Sequence, residues 1–357
     1  MSRWRLTLMI LLAAWLLLPL PQPLPQPLPE AWAALPTVEA PRVPLAYSLQ
    51  AFRRAVRSGG PGKDGIPSID RPRFHSVAAA DALLAANDRI IGLYLDGEAR
   101  AYPQGILVWH EIVNDTLDGR PVSITYCPLT GSALGFHRGD AELGVSGRLV
   151  NSNLIMYDRL TGSEVPQMLG VAIDGPLAGQ GLDELRVIWT TWGAWKARHP
   201  DTRVLSRETG HVRNYRRDPY GSYAPLRGYY RPQSSRLFPV MAESRRLPPK
   251  ASVLGFRTRQ GAAAVTREAL RREAVIELAV GDSHYTVIRD AGLSTGWVFH
   301  NPRRVAIRVD ELTFGPAGVS GGGTEALEPI NAFEAMWFAW AAFYPETLLY
   351  GAPEDAP

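Results

Sequence analysis

A repeat at a fixed spacing constrains the fold of this chain more than any other feature of its sequence. Aligning Gly92 with Gly255 sets an offset of 163 residues, and the same offset continues without a gap as far as His137 and His300. The aligned residues share their character, as in Ala99 with Ala262, Leu107 with Leu270, Val113 with Ile276, Ile124 with Val287 and Phe136 with Phe299. Self-similarity at one spacing predicts a duplicated structural unit.

A second pair of segments extends this pattern at a shorter offset of 145 residues. Residues 195–202, Trp-Lys-Ala-Arg-His-Pro-Asp-Thr, resemble residues 340–347, Trp-Ala-Ala-Phe-Tyr-Pro-Glu-Thr. The second copy is therefore shorter between its two matching blocks. We predict a first repeat at 81–205, an inter-repeat segment at 206–250 and a second, degenerate repeat at 251–357. Residues 34–80 are expected to form an N-terminal arm.

Each copy has the pattern of strand, tight turn, strand, short helix, strand, turn and strand. Residues 90–95 and 122–126 are typical of strands, and Asp96-Gly97 and Asp118-Gly119 are hairpin turns. A helix is predicted from Pro103 through Ile112, and another over 185–198, ended by Pro200; residues 154–157 are predicted to form a strand. The fold class expected is α+β, with two tandem pseudo-repeats of mixed, largely antiparallel β-sheet and short helices.

The N-terminal 33 residues have the pattern of a secretory signal. Arg3 and Arg5 precede an apolar run over 6–18, and Ala31-Trp32-Ala33 provides a cleavage site. The apolar run is shorter than the roughly 20 residues that span a bilayer, so cleavage near Ala33 is favoured over anchoring. We expect an extracytoplasmic protein, periplasmic or secreted, with membrane attachment only through an uncleaved signal.

The composition excludes some partners. The formal net charge is +3 and the arginines are scattered, a pattern that does not predict nucleic-acid binding. The densest basic stretch, residues 213–217 with Arg227 and Arg231, is interleaved with tyrosines. It is interpreted as a solvated or domain-packing loop, with a site for anionic ligands as the alternative.

Cys127 is the only cysteine, so no internal disulfide can form. It lies in the turn Tyr126-Cys127-Pro128-Leu129-Thr130-Gly131-Ser132, after the predicted strand. At the offset of 163, Cys127 aligns with Asp290 and His110 with Glu273, whereas apolar positions are retained. The first repeat is therefore the candidate working copy.

A reactive thiol requires a thiolate, whose pKa of about 8.5 must be lowered by a cation, a dipole or hydrogen-bond donors. The turn can direct its backbone N–H groups and the hydroxyls of Thr130 and Ser132 at the sulfur. His110 can supply a base or cation. The structural alternatives are that Cys127 is a small buried hydrophobe and that His110 interacts with a helix C-terminus.

Other polar residues flank the predicted strand at 154–157. Asn151, Ser152, Asn153 and Asp158 can line a substrate pocket or satisfy turns. Met156, together with His110 and Cys127, would form a soft ligand set suited to copper. No cofactor is otherwise expected.

Long motifs give the chain a family resemblance. They include Trp109-His110-Glu111-Ile112-Val113-Asn114-Asp115, the turn around Cys127, Gln167-Met168-Leu169-Gly170 and Arg217-Asp218-Pro219-Tyr220-Gly221. Over most of residues 85–260 the chain resembles the bacterial family named "domain of unknown function 3179". Some members resemble selenoproteins with selenocysteine at the position of Cys127, which implies redox or nucleophilic chemistry there. Others have a second cysteine at the position of Thr130, which this chain lacks.

These observations predict a thiol-dependent protein in which Cys127 is the nucleophilic or peroxidatic residue. Thr130 and the turn amides would stabilise the sulfur, and His110 with Glu111 would act as the acid–base partner. An oxidised Cys127 would need an external thiol or a redox partner protein for its reduction. The alternatives are a copper-binding protein using His110, Cys127 and Met156, and a non-catalytic ligand- or partner-binding module.

Overall fold

Antiparallel hairpins joined by short turns form most of this fold. The computed structural model describes residues 35–38 and 44–352, so the predicted signal at 1–33 lies outside the described residues. The helices are α1 (Leu49–Ala55), α2 (Val77–Asp81), α3 (Gln104–Leu107), α4 (Trp192–Arg198), α5 (Arg267–Arg272) and α6 (Trp337–Phe343), with 3₁₀ turns at Val309–Glu311 and Thr324–Ala326.

The strands before the inter-repeat segment are β1 (Thr37–Val38), β2 (Arg57–Ser58), β3 (Phe74–His75), β4 (Arg89–Leu95), β5 (Glu98–Pro103), β6 (Ile112–Leu117), β7 (Arg120–Cys127), β8 (Ser132–His137), β9 (Leu143–Val150), β10 (Asn153–Asp158), β11 (Glu164–Pro166), β12 (Gly181–Leu182), β13 (Glu184–Leu185), β14 (Ile188–Thr191) and β15 (Arg203–Leu205). Those that follow are β16 (Gly221–Tyr223), β17 (Leu226–Gly228), β18 (Ser252–Thr258), β19 (Gly261–Thr266), β20 (Val275–Val280), β21 (Ser283–Asp290), β22 (Thr295–His300), β23 (Thr313–Gly315), β24 (Gly318–Ser320), β25 (Glu328–Ile330), β26 (Ala332–Met336) and β27 (Leu348–Tyr350).

The two halves have sheets with the same internal order. In the first half the orders are β14-β4-β5-β15-β3 and β13-β8-β7-β6; in the second they are β26-β18-β19-β27 and β25-β22-β21-β20. The pairs β5–β15 and β19–β27 are parallel and the other strand pairs of these sheets are antiparallel, which confirms the α+β class with mixed, largely antiparallel sheet. A further sheet, β11-β10-β9-β2, belongs to the first half and supplies part of the site described below.

The predicted hairpin turns are confirmed. Asp96 and Gly97 join β4 to β5, and Asp118 and Gly119 join β6 to β7, all four with positive φ. Positive φ at both central residues matches the right-handed twist of the flanking strands. The predicted strands at 90–95, 122–126 and 154–157 correspond to β4, β7 and β10.

Two helices are shorter than predicted. The helix after Pro103 ends at Leu107, because Glu111 adopts a φ of +59° and the chain then enters β6 at Ile112. The helix predicted over 185–198 begins only at Trp192, where the Thr191 hydroxyl accepts a hydrogen bond from the Ala194 N–H. Ile188–Thr191, just before this helix, form strand β14, which pairs with β4. Tertiary pairing overrides a periodicity that also suits a helix.

The largest hydrophobic core includes residues of both halves. It contains Cys127, Leu134 and Ile155 from the first half and Val253 and Trp337 from the second. Within the described residues, no helix is both long and apolar enough to cross a membrane.

Candidate functional site

Cys127 is the last residue of β7 and opens the turn that leads into β8. It pairs with Ser132 in the hairpin register, and the Thr130 N–H donates to its carbonyl at 3.3 Å. Gly131 has a φ of +58°, which a glycine adopts without the steric penalty of a side chain. The tight turn therefore brings Thr130 back over the cysteine, and the Cys127 side chain is fully buried.

The Leu154 N–H contacts the sulfur directly, and Thr130 adds to its effect on the thiol pKa. The Leu154 N–H donates to Cys127 Sγ at 3.4 Å, and the Thr130 hydroxyl and N–H also act to lower the thiol pKa. Burial and the nearby charge of Glu111 outweigh these donors and raise the pKa of Cys127 to about 11. At neutral pH the resting group is therefore a neutral thiol that already faces the donors a thiolate needs.

Glu111 is the titratable group whose charge acts on the pKa of this thiol. Its side chain is 6% exposed, and within the described residues its carboxyl group has no hydrogen-bond partner. Burial raises the pKa of Glu111 to about 8, so the carboxyl is protonated at neutral pH. Its positive φ places the residue between α3 and β6, where its carbonyl accepts a hydrogen bond from the Tyr126 N–H at 2.7 Å.

His110 is engaged elsewhere. Its Nδ1 lies 2.8 Å from the Pro67 carbonyl and its Nε2 lies 2.7 Å from the Tyr215 hydroxyl. Burial lowers the pKa of His110 to about 4, so the imidazole is neutral. No hydrogen bond joins His110 to Cys127 among the described residues. The structure places Thr130 in the cysteine turn and Glu111 within electrostatic reach of the thiol, and it directs His110 towards the inter-repeat segment.

A network of buried polar side chains is hydrogen-bonded to the cysteine turn. The Thr130 hydroxyl lies 2.8 Å from that of Ser132, which donates to Gln167 Oε1 at 2.7 Å. Asn153 Nδ2 donates to Thr130 Oγ1 at 3.0 Å and to Gln167 Oε1 at 2.9 Å. Gln167 was not predicted as a site residue. It lies in one of the motifs that carry the family resemblance, and that was the signal available for finding it.

The predicted substrate residues form turns around this network. Asn151 and Ser152, both with positive φ, join β9 to β10. Asn151 Oδ1 accepts from the Met241 N–H at 2.7 Å, and the Ser152 hydroxyl donates to the Phe238 carbonyl at 2.7 Å. Asp158 closes the turn after β10 by accepting from the Leu160 N–H at 2.8 Å. The Ser152 carbonyl is 3.9 Å from Cys127 Sγ, whereas Asp158 belongs to the far end of β10.

Tyrosines of the inter-repeat segment cover the cysteine turn. The Tyr229 hydroxyl donates to the Leu129 carbonyl at 2.8 Å, and Tyr223 and Tyr230 stack with ring centroids 4.0 Å apart. Burial raises the pKa of each of these three tyrosines. Lys250 holds the segment in place, because its Nζ donates to the Tyr229 carbonyl at 2.7 Å. We call residues 217–231 the tyrosine cover.

One member of the predicted copper ligand set, His110, is engaged by other groups. Met156 and Cys127 share one hydrophobic core, but both ring nitrogens of His110 are bound to other groups. The part of the chain that the structure describes contains no group of three His, Cys, Asp or Glu side chains arranged to hold a metal ion.

A comparison with known families places these motifs within one family model. A family model described as "Protein of unknown function (DUF3179)" matches residues 63–347. The chain belongs to the DUF3179 family. The match extends beyond residues 85–260, over which the resemblance was recognised, and includes the second half. No curated protein matches the chain, and neither does any solved structure. The DUF3179 match includes the cysteine turn, Glu111, the polar network and the tyrosine cover.

Proposed function

We propose that this DUF3179 protein is an exported thiol-dependent redox protein in which Cys127 reduces a peroxide. The observation that carries the proposal is the almost fully buried carboxyl of Glu111, which has no hydrogen-bond partner among the described residues and which, when ionised, would disfavour the thiolate of Cys127. Burying such a group without a partner is costly, and carboxyl groups with a strongly perturbed pKa cluster at functional sites. A purely structural cysteine would not need it.

The proposed reaction starts from a neutral thiol and a neutral carboxylic acid. Sγ attacks one peroxide oxygen as the O–O bond breaks, Glu111 protonates the departing oxygen, and the thiol proton passes to the Glu111 carboxylate. The products are a sulfenic acid on Cys127 and an alcohol or water. Negative charge develops on the departing oxygen, where the Glu111 proton neutralises it, while the donors from Leu154 and Thr130 act to lower the pKa of the thiol that must lose its proton.

Reduction of the sulfenic acid requires thiols from outside the chain, since Cys127 is its only cysteine. One external thiol condenses with the sulfenic acid to give a mixed disulfide and water. A second thiol releases Cys127 and leaves as the external disulfide. We propose that an exported redox partner or a small thiol supplies both equivalents, and that residues 1–33 direct the export.

Access to the thiol requires movement of the tyrosine cover. Cys127 is fully buried, and the bond from Tyr229 to the Leu129 carbonyl closes the turn from outside. A small peroxide can reach the sulfur after a local opening of this segment, whereas a folded partner needs the larger displacement.

The test is the rate at which hydrogen peroxide converts Cys127 to a sulfenic acid, trapped and measured by mass spectrometry. Isosteric Glu111→Gln removes the proton donor and should slow this step by about 10²-fold, as for loss of a general acid. His110→Gln is the matched control, since His110 does not contact the thiol, and should change the rate little. The proposal is wrong if Cys127 stays unoxidised while the half-buried Met241 reacts, or if Glu111→Gln oxidises at the wild-type rate.

A further inference from the structure

A cavity of small-molecule size borders the tyrosine cover, and Tyr223 forms part of its lining. It has a volume of about 430 Å³, within the range of small-molecule sites. Its walls come from the segment that follows α2, from α3, from the end of β15 and from the inter-repeat segment. Leu84 and Ile106 give it an apolar side, and Arg89, Gln104 and Asp218 give it a polar side.

Arg89 is the exceptional residue of this cavity. Within the described residues its guanidinium makes no hydrogen bond and no ion pair, and its Nε is buried without a partner. It stacks over the ring of Trp189, 5.0 Å from the centroid, which leaves the edges of the guanidinium free. Burial lowers the pKa of Arg89, yet arginine stays charged at any physiological pH. The charge is therefore held at the cavity without a partner.

The acidic side chains nearby are already committed. Asp218 accepts hydrogen bonds from Gln104 at 2.8 Å and from Tyr230 at 2.8 Å, and Asp88 accepts from the Ala85 N–H at 2.9 Å. The carboxylate of Glu334 interacts electrostatically with Arg89, but its ion pair is with Arg267, at 2.6 Å.

Two further cations complete the lining. Arg207 and Arg216 line the cavity, and neither side chain forms an ion pair with any residue that the structure describes. The lining thus contains three arginines, none of which forms an ion pair with a described residue, against two carboxylates, Asp88 and Asp218, whose hydrogen bonds come from neutral groups.

We propose that this cavity binds a small organic carboxylate, with Arg89 as the residue that receives the carboxylate group. A guanidinium offers two parallel N–H donors that match a carboxylate, and its support on an aromatic ring fixes the orientation. The apolar side formed by Leu84 and Ile106 takes the body of the ligand. A carboxylate fits such a mixed lining better than inorganic phosphate, which has no apolar part.

This site is separate from the proposed chemistry at the thiol. Tyr223 stands between the two: it lines the cavity, and its hydroxyl lies against the cysteine turn, 3.4 Å from where a Cβ on Gly131 would be. The carboxylate site therefore makes no use of Cys127, and Cys127→Ala should bind as the wild type does.

Isothermal titration calorimetry with benzoate, phenylacetate and succinate tests the proposal, with benzamide and inorganic phosphate as comparisons. At least one carboxylate should bind, and benzoate should bind more tightly than its uncharged isostere benzamide. Arg89→Gln should weaken carboxylate binding by at least about tenfold, since it removes a bidentate charged contact.

Arg100→Gln is the matched control. Arg100 also stacks on an aromatic ring, 4.9 Å from the centroid of Phe74, but it pairs with Glu98 and lies outside the cavity lining. Its variant should bind like the wild type. The proposal is overturned if none of the three carboxylates binds at millimolar concentration, if only phosphate binds, if Arg100→Gln weakens binding as much as Arg89→Gln, or if Cys127→Ala abolishes binding.

Discussion

At the residue scale, the site depends on Glu111, whose pKa of about 8 links folding to pH. In the unfolded chain a glutamate titrates near 4.5, so between the two values the folded state binds more protons than the unfolded state. Stability contributed by protonated Glu111 is therefore fully present below about pH 4.5 and is lost as pH rises towards 8.

Glu111→Gln should remove this dependence. Relative to the wild type, the variant should gain on the order of 4 kcal/mol in free energy of unfolding over that pH interval. Urea unfolding at a series of pH values gives the difference directly. Buried His110 and His199 act in the opposite sense, since a pKa lowered to about 4 makes stability rise with pH up to about 6.5. The contributions of these two histidines to the pH dependence cancel when the variant is compared with the wild type, because both proteins contain them. Parallel pH profiles would show that Glu111 is not protonated in the folded state.

The sequence indicated some of the residues around the thiol and not others. Thr130 could be predicted because it is three residues from Cys127 in a turn that glycine makes tight. Glu111 was named only as a companion of His110, since the reversal that separates their environments depends on one positive φ. The side chain of Gln167 reaches the site across sheets, and no local spacing encodes such a contact.

At the element scale, two strands pack against a tryptophan through a glycine. A Cβ on Gly92 would overlap the ring of Trp195, and a Cβ on Gly255 would overlap the ring of Trp340. Each tryptophan also donates from Nε1 to a threonine seven residues later, Thr202 or Thr347, at 3.0 Å. The same contact therefore fixes α4 on β4 and α6 on β18.

Gly92→Ala and Gly255→Ala should each destabilise the protein by about 1–3 kcal/mol, the usual cost of overpacking a core. Gly62→Ala is the control, because no atom lies within 4 Å of a Cβ at Gly62 and its φ is not positive. Chemical denaturation of the three variants measures the effect. Equal stabilities for all three would mean that the helices can shift away from the strands at little cost.

Strand periodicity and turn residues predicted elements better than helical spacing did. Asp96-Gly97 and Asp118-Gly119 specify their turns locally, so the hairpins could be located from sequence. The apolar residues at 185–191 fit a helix equally well, and only the partner strand β4, nearly a hundred residues earlier, makes them a strand. A short stretch of sequence does not show which distant strand it will pair with.

At the scale of the whole molecule, a buried ion pair joins the two halves. Glu184 on β13 binds Arg257 on β18, and both side chains are almost fully buried. Asn331 also donates to Glu184 Oε2 at 2.8 Å. Removing one partner of such a pair leaves the other charge buried without compensation.

Glu184→Ala should therefore lower the free energy of unfolding by about 3–5 kcal/mol. The exposed pair of Arg308 and Glu311 offers the control, and Glu311→Ala should leave stability unchanged within error. Denaturant unfolding monitored by tryptophan fluorescence gives both values. A small loss of stability in Glu184→Ala would indicate that water reaches Arg257 between the two halves.

The strand ends at Cys127 and Asp290 occupy matching places in the two halves. In the first half this place holds the thiol; in the second, both oxygens of Asp290 accept from Arg198 of α4 at 3.0 Å, which ties the halves together. The contact between the halves and the proposed chemistry thus use equivalent positions of the two halves. If the proposed redox partner exists, a cell that carries Cys127→Ser should accumulate a normally folded, inert protein that still binds it, and such an allele can be dominant over the wild type.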